Sequence, residues 1–278
     1  MSLSRLALET EARDQGRPVA EIRDALRRAL VVMRGAVERG LAGDLRSASG
    51  LVGGDAAKVG QSNKGPFSGT PFADVLARAL AVQEVNAAMG VIVAAPTAGG
   101  AGVLPAVLTG LAAARGIGDD AIVDALATAG LIGAVVADRA SLSGAEGGCQ
   151  AETGAAAGMA AGAATEMLGG TPAQVGHAVA LAQQGTLGLV CDPLGGLVEL
   201  PCVFRNATGS AIALAAVEMA LAGVEFAIPV DEVIDTMGEI GRSMDVRYRE
   251  TAGGGLAATP TGRRLARERL VRIKRAGQ

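Results

Sequence analysis

Cys191-Asp-Pro-Leu-Gly-Gly-Leu-Val-Glu-Leu-Pro-Cys202 is the stretch around which the rest of the chain is organised. Its prolines and paired glycine make it a turn-rich connection, and it holds two of the chain's three cysteines. The third, Cys149, closes another glycine-rich loop, Ser141-Leu-Ser-Gly-Ala-Glu-Gly-Gly-Cys149-Gln150. Outward from these loops the pattern is helical. No strand-like alternation survives beyond Val91-Ile-Val-Ala. Helices are predicted over 3–14, 18–39, 72–89, 103–114, 119–138, 151–168, 172–187, 205–222, 229–243 and 259–274, with Pro18, Pro172 and Pro229 in their first turns. The expected fold is therefore all-α. It is a single Ala- and Gly-rich helical domain over 1–278, with N-terminal helices in 1–46, a basic C-terminal helix in 259–278, and the glycine-rich loops as ligand loops.

Composition narrows the function. Half of the 278 residues are hydrophobic, yet only 2% are aromatic and there is no Trp. The bulk is Ala, Gly, Val and Leu, so helices can approach closely. A net charge of -3 leaves no basic footprint for nucleic acid, and one Tyr with four Phe gives little to stack bases on. The uncharged run from Val85 to Ala114 is long enough to span a bilayer, but Pro96-Thr97-Ala98-Gly99-Gly100 breaks it in the middle, so no membrane role is expected. The start shows no signal-peptide pattern. An odd number of cysteines without such a signal points to free thiols in a reducing cytoplasm.

By spacing, with forty-one residues between Cys149 and Cys191 and ten between Cys191 and Cys202, the three cysteines form neither a ferredoxin-like run nor a zinc ribbon. One reading makes them unrelated core residues. The other brings the loops together so that three thiolates hold one soft metal centre. Three thiolates are one short of the four that an iron–sulfur cluster usually takes. A metal open to substrate acts as a Lewis acid on a bound oxygen, which suits dehydration of a hydroxy compound.

Several motifs then resemble one family. Ser143-Gly-Ala-Glu-Gly-Gly-Cys149-Gln-Ala-Glu152, Leu189-Val-Cys191 through Cys202-Val-Phe-Arg205-Asn206, Glu84-Val-Asn-Ala-Ala-Met-Gly90 and Pro96-Thr-Ala-Gly99 are similar to the alpha subunit of iron–sulfur-dependent L-serine dehydratase. The similarity runs from about residue 3 to Arg264 and includes Ser49-Gly-Leu-Val-Gly-Gly-Asp55. It implies a [4Fe-4S] cluster with Cys149, Cys191 and Cys202 as ligands, L-serine as substrate, pyruvate and ammonia as products of an amino-acid catabolic lyase, and a separate beta subunit in a hetero-oligomer. Related lyases acting on threonine or cysteine, and a non-catalytic cluster scaffold, are the rival readings. The chain departs from the pattern at Gly100-Ala101, where a Ser-Cys pair is common, and its tail has no cysteine.

Other residues carry expectations of their own. Backbone N–H groups of Thr97, Ala98 and Gly99, at a helix-start loop, are candidates to bind the substrate carboxylate. Ser143 and Glu146 either shape the loop or orient substrate. Arg205 is a candidate for the carboxylate or for balancing the thiolates, and Asn206 is grouped with it as substrate-binding. His177, the single histidine, is read as structural, which leaves the base unassigned or on the partner. The basic tail, Arg263 to Arg275 with Leu265, Leu270, Val271 and Ile273, is read as a solvated face or a docking element.

Overall fold

The computed structural model describes residues 1–276, with side chains described through Arg269. Of the basic tail, the side chains of Leu270, Val271, Arg272, Ile273, Lys274 and Arg275 therefore lie outside the described residues. The fold is all-α. Among the described residues there is no named strand, only an isolated parallel bridge between Cys191 and Arg249.

The axis of the molecule is the helix Ala155–Met167, α8 in chain order, in which every residue from Ala155 to Thr165 is buried. A helix that is apolar on all sides must be surrounded. Around it pack α5 (Val103–Arg115), α6 (Asp119–Arg139), α9 (Pro172–Gln184) and α10 (Cys202–Leu221). Its small side chains let them come close. A methyl group on Gly162 would stand 2.4 Å from Ile132 Cδ1 and 2.8 Å from Val179 Cγ2, inside van der Waals contact. The same device joins two outer helices, α2 (Val19–Leu41) and α4 (Pro71–Ala87): a methyl at Gly40 would lie 2.2 Å from the Ala81 carbonyl oxygen.

The outer helices are amphipathic. On α2 the buried residues Ile22, Leu30, Met33 and Val37 recur at helical spacing, and each such side chain contributes about 1.5–3 kcal/mol on burial. α1 (Leu3–Gln15) ends at Gly16, whose φ of 64° lets its N–H reach back to Ala12 and Arg13. α9 starts with a reciprocal capping pair, Thr171 and Gln174. α11 (Val230–Ser243) and α12 (Pro260–Ala276) complete the set, with α3 (Asp55–Gln61) and α7 (Gly144–Gly147) as short turns of helix inside glycine-rich segments.

Among the differences from the sequence reading, three bear on the site, and each has a physical reason. Cys202 is the first residue of α10, because Pro201 ends the loop and leaves the chain free to turn helical at once. The Gln150–Gly154 segment is one turn of π-helix feeding α8, an irregularity that no propensity encodes. α3 forms within 47–72 because the buried Glu84 carboxylate accepts the N–H groups of Gly54, Asp55 and Ala56, which caps a helix too short to stand alone. The Val85–Ala114 run is broken as expected between α4 and α5. One described helix, α6, is long and apolar enough to cross a bilayer by length and composition, and half of its apolar window is buried inside the protein.

Candidate metal centre and substrate site

The two cysteine loops meet where α8 begins. Cys149, Cys191 and Cys202 are all free and buried. Gly148 precedes Cys149 with φ 77°, and a Cβ there would lie 2.7 Å from Met244 sulfur, so only glycine fits. Gln150, fully buried, stitches the loops together. Its backbone N–H donates to Leu189 O at 3.0 Å, its side-chain amide donates to Met237 O, and its side-chain oxygen accepts from Gly188 N at 2.8 Å.

Cys191 is held by the segment after α11. Its N–H donates to Tyr248 O at 2.8 Å and its carbonyl accepts from Glu250 N at 2.9 Å. Cys202 is fixed by the start of α10 and by Glu199, whose carboxylate accepts from the Ser49 N–H at 3.0 Å and from the Ser49 hydroxyl. The Ser49-Gly-Leu-Val-Gly-Gly-Asp55 segment is thus a strap, fastened to the Cys202 loop at one end and to Glu84 at the other.

The thiols lie within electrostatic reach of one another. Burial pushes the Cys149 thiol up, opposed by Thr153, whose hydroxyl is 3.1 Å from the sulfur, and by Arg205. Burial first, then Cys149 and Glu152, push Cys202 up to about 12. Cys191 is raised further, by burial and then by Cys149, Glu152 and Cys202. Each shift disfavours the thiolate, so the three sulfurs ionise together only with a cation beside them. A soft metal would supply that charge and displace the thiol protons. Among the described residues, no three His, Cys, Asp or Glu side chains are arranged to hold one metal ion. A single ion needs its sulfurs at about 2.3 Å from one point, whereas a polynuclear centre spreads its ligands.

Arg205 and Asn206, predicted to face substrate, are committed to the protein. Arg205 donates to Val190 O at 2.8 Å and lies 2.7 Å from Asp192 Oδ1 as an ion pair, with its guanidinium also toward Cys149. The guanidinium is therefore held beside Cys149 by Asp192 and the Val190 carbonyl. Asn206 is fully buried. Its side-chain oxygen accepts from Gly102 N, and its amide donates to Gly99 O and Cys202 O. It ties the Pro96–Gly102 loop to the first residue of α10. Ser143 caps α7 through its carbonyl, which accepts from Glu146 and Gly147, and the Glu146 carboxylate accepts from Ser141 at 2.6 Å. His177 Nδ1 accepts from Phe226 N at 3.2 Å, a structural role.

The Thr97–Gly99 turn is different. Its carbonyls are used: Ala98 O accepts from Gln83 and Asn86, and Gly99 O accepts from Asn206. Its N–H groups donate to no acceptor among the described residues. Successive backbone N–H groups left without acceptors are the raw material from which proteins build anion sites.

Beside it stands a residue that the sequence reading quoted but gave no role, Glu152. Its Oε1 accepts from Thr97 Oγ1 at 2.7 Å, and its Oε2 lies 3.8 Å from Cys191 sulfur. Burial raises its carboxyl above the ordinary range, opposed by the Thr97 hydroxyl and reinforced by Glu250 nearby. The signal that could have found it is a lone charge opening an otherwise Ala- and Gly-filled helix. Tyr248-Arg249-Glu250 were also missed, since it is backbone pairing with Cys191 that brings them to the site.

Residues 1–257 match the family model described as serine dehydratase alpha chain. The chain belongs to the serine dehydratase alpha chain family. It is 51% identical over 245 residues to the probable L-serine dehydratase alpha chain of Bacillus subtilis, covering 86% of this chain and 80% of that one. It is 42% identical over 271 residues to the L-serine dehydratase alpha chain of Peptoniphilus asaccharolyticus, covering 95% and 91%. A longer relative, the L-serine dehydratase of Streptomyces coelicolor, is 42% identical over 264 residues, which span 92% of this chain and 57% of that protein. The family is one of enzymes, and the serine dehydratase alpha match covers both cysteine loops, the Thr97 turn and Glu152.

Proposed function

We propose that this chain is the alpha subunit of an L-serine dehydratase that converts L-serine to pyruvate and ammonia in the reducing cytoplasm, with a [4Fe-4S] cluster held by Cys149, Cys191 and Cys202. The observation that carries this reading is the convergence of three buried, free thiols beside a turn of unused backbone N–H groups. The donor set fits an iron–sulfur cluster: all soft sulfur, with Arg205 offsetting thiolate charge. When bound, the cluster supplies Lewis acidity toward the leaving hydroxyl.

The chain's own residues do the rest. The N–H groups of Thr97, Ala98 and Gly99 bind the substrate carboxylate. Asn206 and Gln83 hold that turn from behind, so the amides are in position before substrate arrives. Loss of the α-proton and the β-hydroxyl, together one water, gives 2-aminoacrylate. Its imine tautomer takes up water to release ammonia and pyruvate. The acceptor of the α-proton is assigned to a separate beta subunit in a hetero-oligomer. Support for such a partner is that the Streptomyces relative carries further sequence beyond the part this chain matches.

The test is anaerobic. The chain is reconstituted with iron and sulfide, alone and with its co-expressed partner, and Mössbauer spectra are recorded with and without L-serine. A change at one iron of the cluster on adding serine supports the reading. A cluster that ignores serine with the partner present, or no cluster at all, overturns it. Cys191→Ala is expected to lose bound iron and turnover together, and full iron content in that variant contradicts the ligand set.

A further inference from the structure

Glu152 has an oxygen that the protein leaves without a close donor. Oε1 is held by the Thr97 hydroxyl. Oε2 has one neighbour able to donate, the Cys191 thiol at 3.8 Å. At that distance the contact is at the outer limit of a sulfur hydrogen bond, so Oε2 is a partly buried acceptor without a close donor.

Nor is there a cation for it. Among the described residues no Lys, Arg or His forms an ion pair with Glu152, and the site's arginine, Arg205, is taken by Asp192 and Val190 O. A second carboxylate, Glu250, also faces the site, so its field is more negative still. A partly buried carboxylate left unpaired costs stability unless a partner arrives.

The surroundings are shaped for this carboxylate. A methyl group at Gly99 would lie 2.8 Å from both of its oxygens. One at Gly144 would lie 2.7 Å from Oε2 and 3.0 Å from Cys191 sulfur. Two glycines thus leave the space that the acid fills. The Thr97 residue whose hydroxyl aims Oε1 also supplies one of the unused N–H groups, so an anion receptor and a cation receptor sit side by side.

We propose that Glu152 receives the α-ammonium of the substrate, so that this site reads the zwitterionic end of an α-amino acid. The turn at Thr97–Gly99 takes the carboxylate and Glu152 Oε2 takes the ammonium. The β-substituent is then directed toward the cysteine sulfurs. Glu152 is in this role a specificity residue: it selects amino acids over hydroxy acids of the same size. The inference rests on the serine dehydratase reading above.

The experiment compares two ligands on the full chain, anaerobically loaded with iron and sulfide and co-purified with its partner. One is L-serine. The other is 3-hydroxypropanoate, which keeps the carboxylate and hydroxyl but lacks the ammonium. Each is titrated while the cluster's Mössbauer or electron-paramagnetic spectrum is followed, so the readout is binding and not turnover. The wild type is expected to respond to serine at concentrations at least tenfold lower than to 3-hydroxypropanoate. Glu152→Gln, isosteric and uncharged, is expected to weaken serine by about tenfold or more, the scale of a lost charged hydrogen bond, while 3-hydroxypropanoate changes less than about threefold on the same scale.

Equal weakening of both ligands, or an unchanged response to serine, overturns the ammonium role and leaves the serine reading intact. A wild type indifferent to serine overturns the serine reading and this one with it. Should Glu152→Gln fail to hold iron, Thr97→Val removes only the hydroxyl that aims Oε1. It is expected to weaken serine selectively and by less, and a loss shared by both ligands overturns the role there too.

Discussion

The Asp192–Arg205 pair shows how much single side chains decide here. Asp192 is nearly inaccessible and Arg205 mostly so, at 2% and 16% side-chain exposure. The second Asp192 oxygen accepts from Leu256 N at 2.6 Å, so one carboxylate fixes both the arginine beside Cys149 and the segment that follows α11. Removing one member of a buried pair strands the other charge. Asp192→Ala is therefore expected to lower the unfolding free energy by about 3–5 kcal/mol, read by urea denaturation of the metal-free chain, and to weaken iron retention. Asp192→Asn keeps the acceptor for Leu256 and is expected to cost less. Equal stability of the wild type and the alanine variant would contradict this account of the pair.

Helices pack here through missing side chains and are steered by charge at the surface. Gly162 faces Ile132 and Val179 too closely for a methyl group, so Gly162→Ala is expected to destabilise by about 1–3 kcal/mol through overpacking. Gly130, exposed on α6 with nothing within 4 Å of a would-be Cβ, is the contrast. Gly130→Ala is expected to stabilise by about 0.5–1 kcal/mol. Thermal melts of both variants check the pair, and a shift of the same sign in both would refute the packing argument. Across the α2–α6 contact, Arg34 forms a two-pronged bond to Asp119, at 2.7 and 2.6 Å. The Arg34 hydrogen bond holds the Asp119 carboxyl below the ordinary carboxylate range. A lowered folded-state pKa means stability that is present above the unfolded value and lost as pH falls through the folded one. Asp119→Asn is expected to cost no more than about 1 kcal/mol at neutral pH, since the pair is exposed. It should also flatten the loss of stability below about pH 4. Stability measured against pH for the two proteins decides it.

The molecule as a whole is a rigid bundle carrying an irregular end. α8 and its neighbours bury almost every residue they present to one another. The cysteine loops instead depend on a few backbone pairings, the Ser49 strap and Gln150. Ligation by Cys149, Cys191 and Cys202 would cross-link segments that the helices leave to local bonds, so binding free energy becomes local folding free energy. Iron loading is expected to raise the melting temperature and to slow proteolysis within 188–201 and 244–259, with anaerobic chelation reversing both. Cleavage at the same rate in loaded and metal-free protein would mean that the loops are already fixed without metal.

The helical class and most helix positions were legible in the sequence, because apolar periodicity and capping residues such as Thr171-Pro172 act within one or two turns of chain. The three cysteines could be singled out in the same way, since glycine-rich loops around Cys149 and Cys191 are a local feature. Tertiary structure alone decided the partners. Asn206 and Arg205 stand next to Cys202 in sequence, yet folding spends them on Gly99, Gly102, Val190 and Asp192. Glu152 is placed beside Thr97 and Cys191 across 55 and 39 residues. Likewise Tyr248 and Glu250 reach Cys191 through a backbone pairing that no side-chain pattern announces. Local propensity is written in neighbouring residues. Which acceptor is used up and which is left open is settled only when distant segments compete for the same donors.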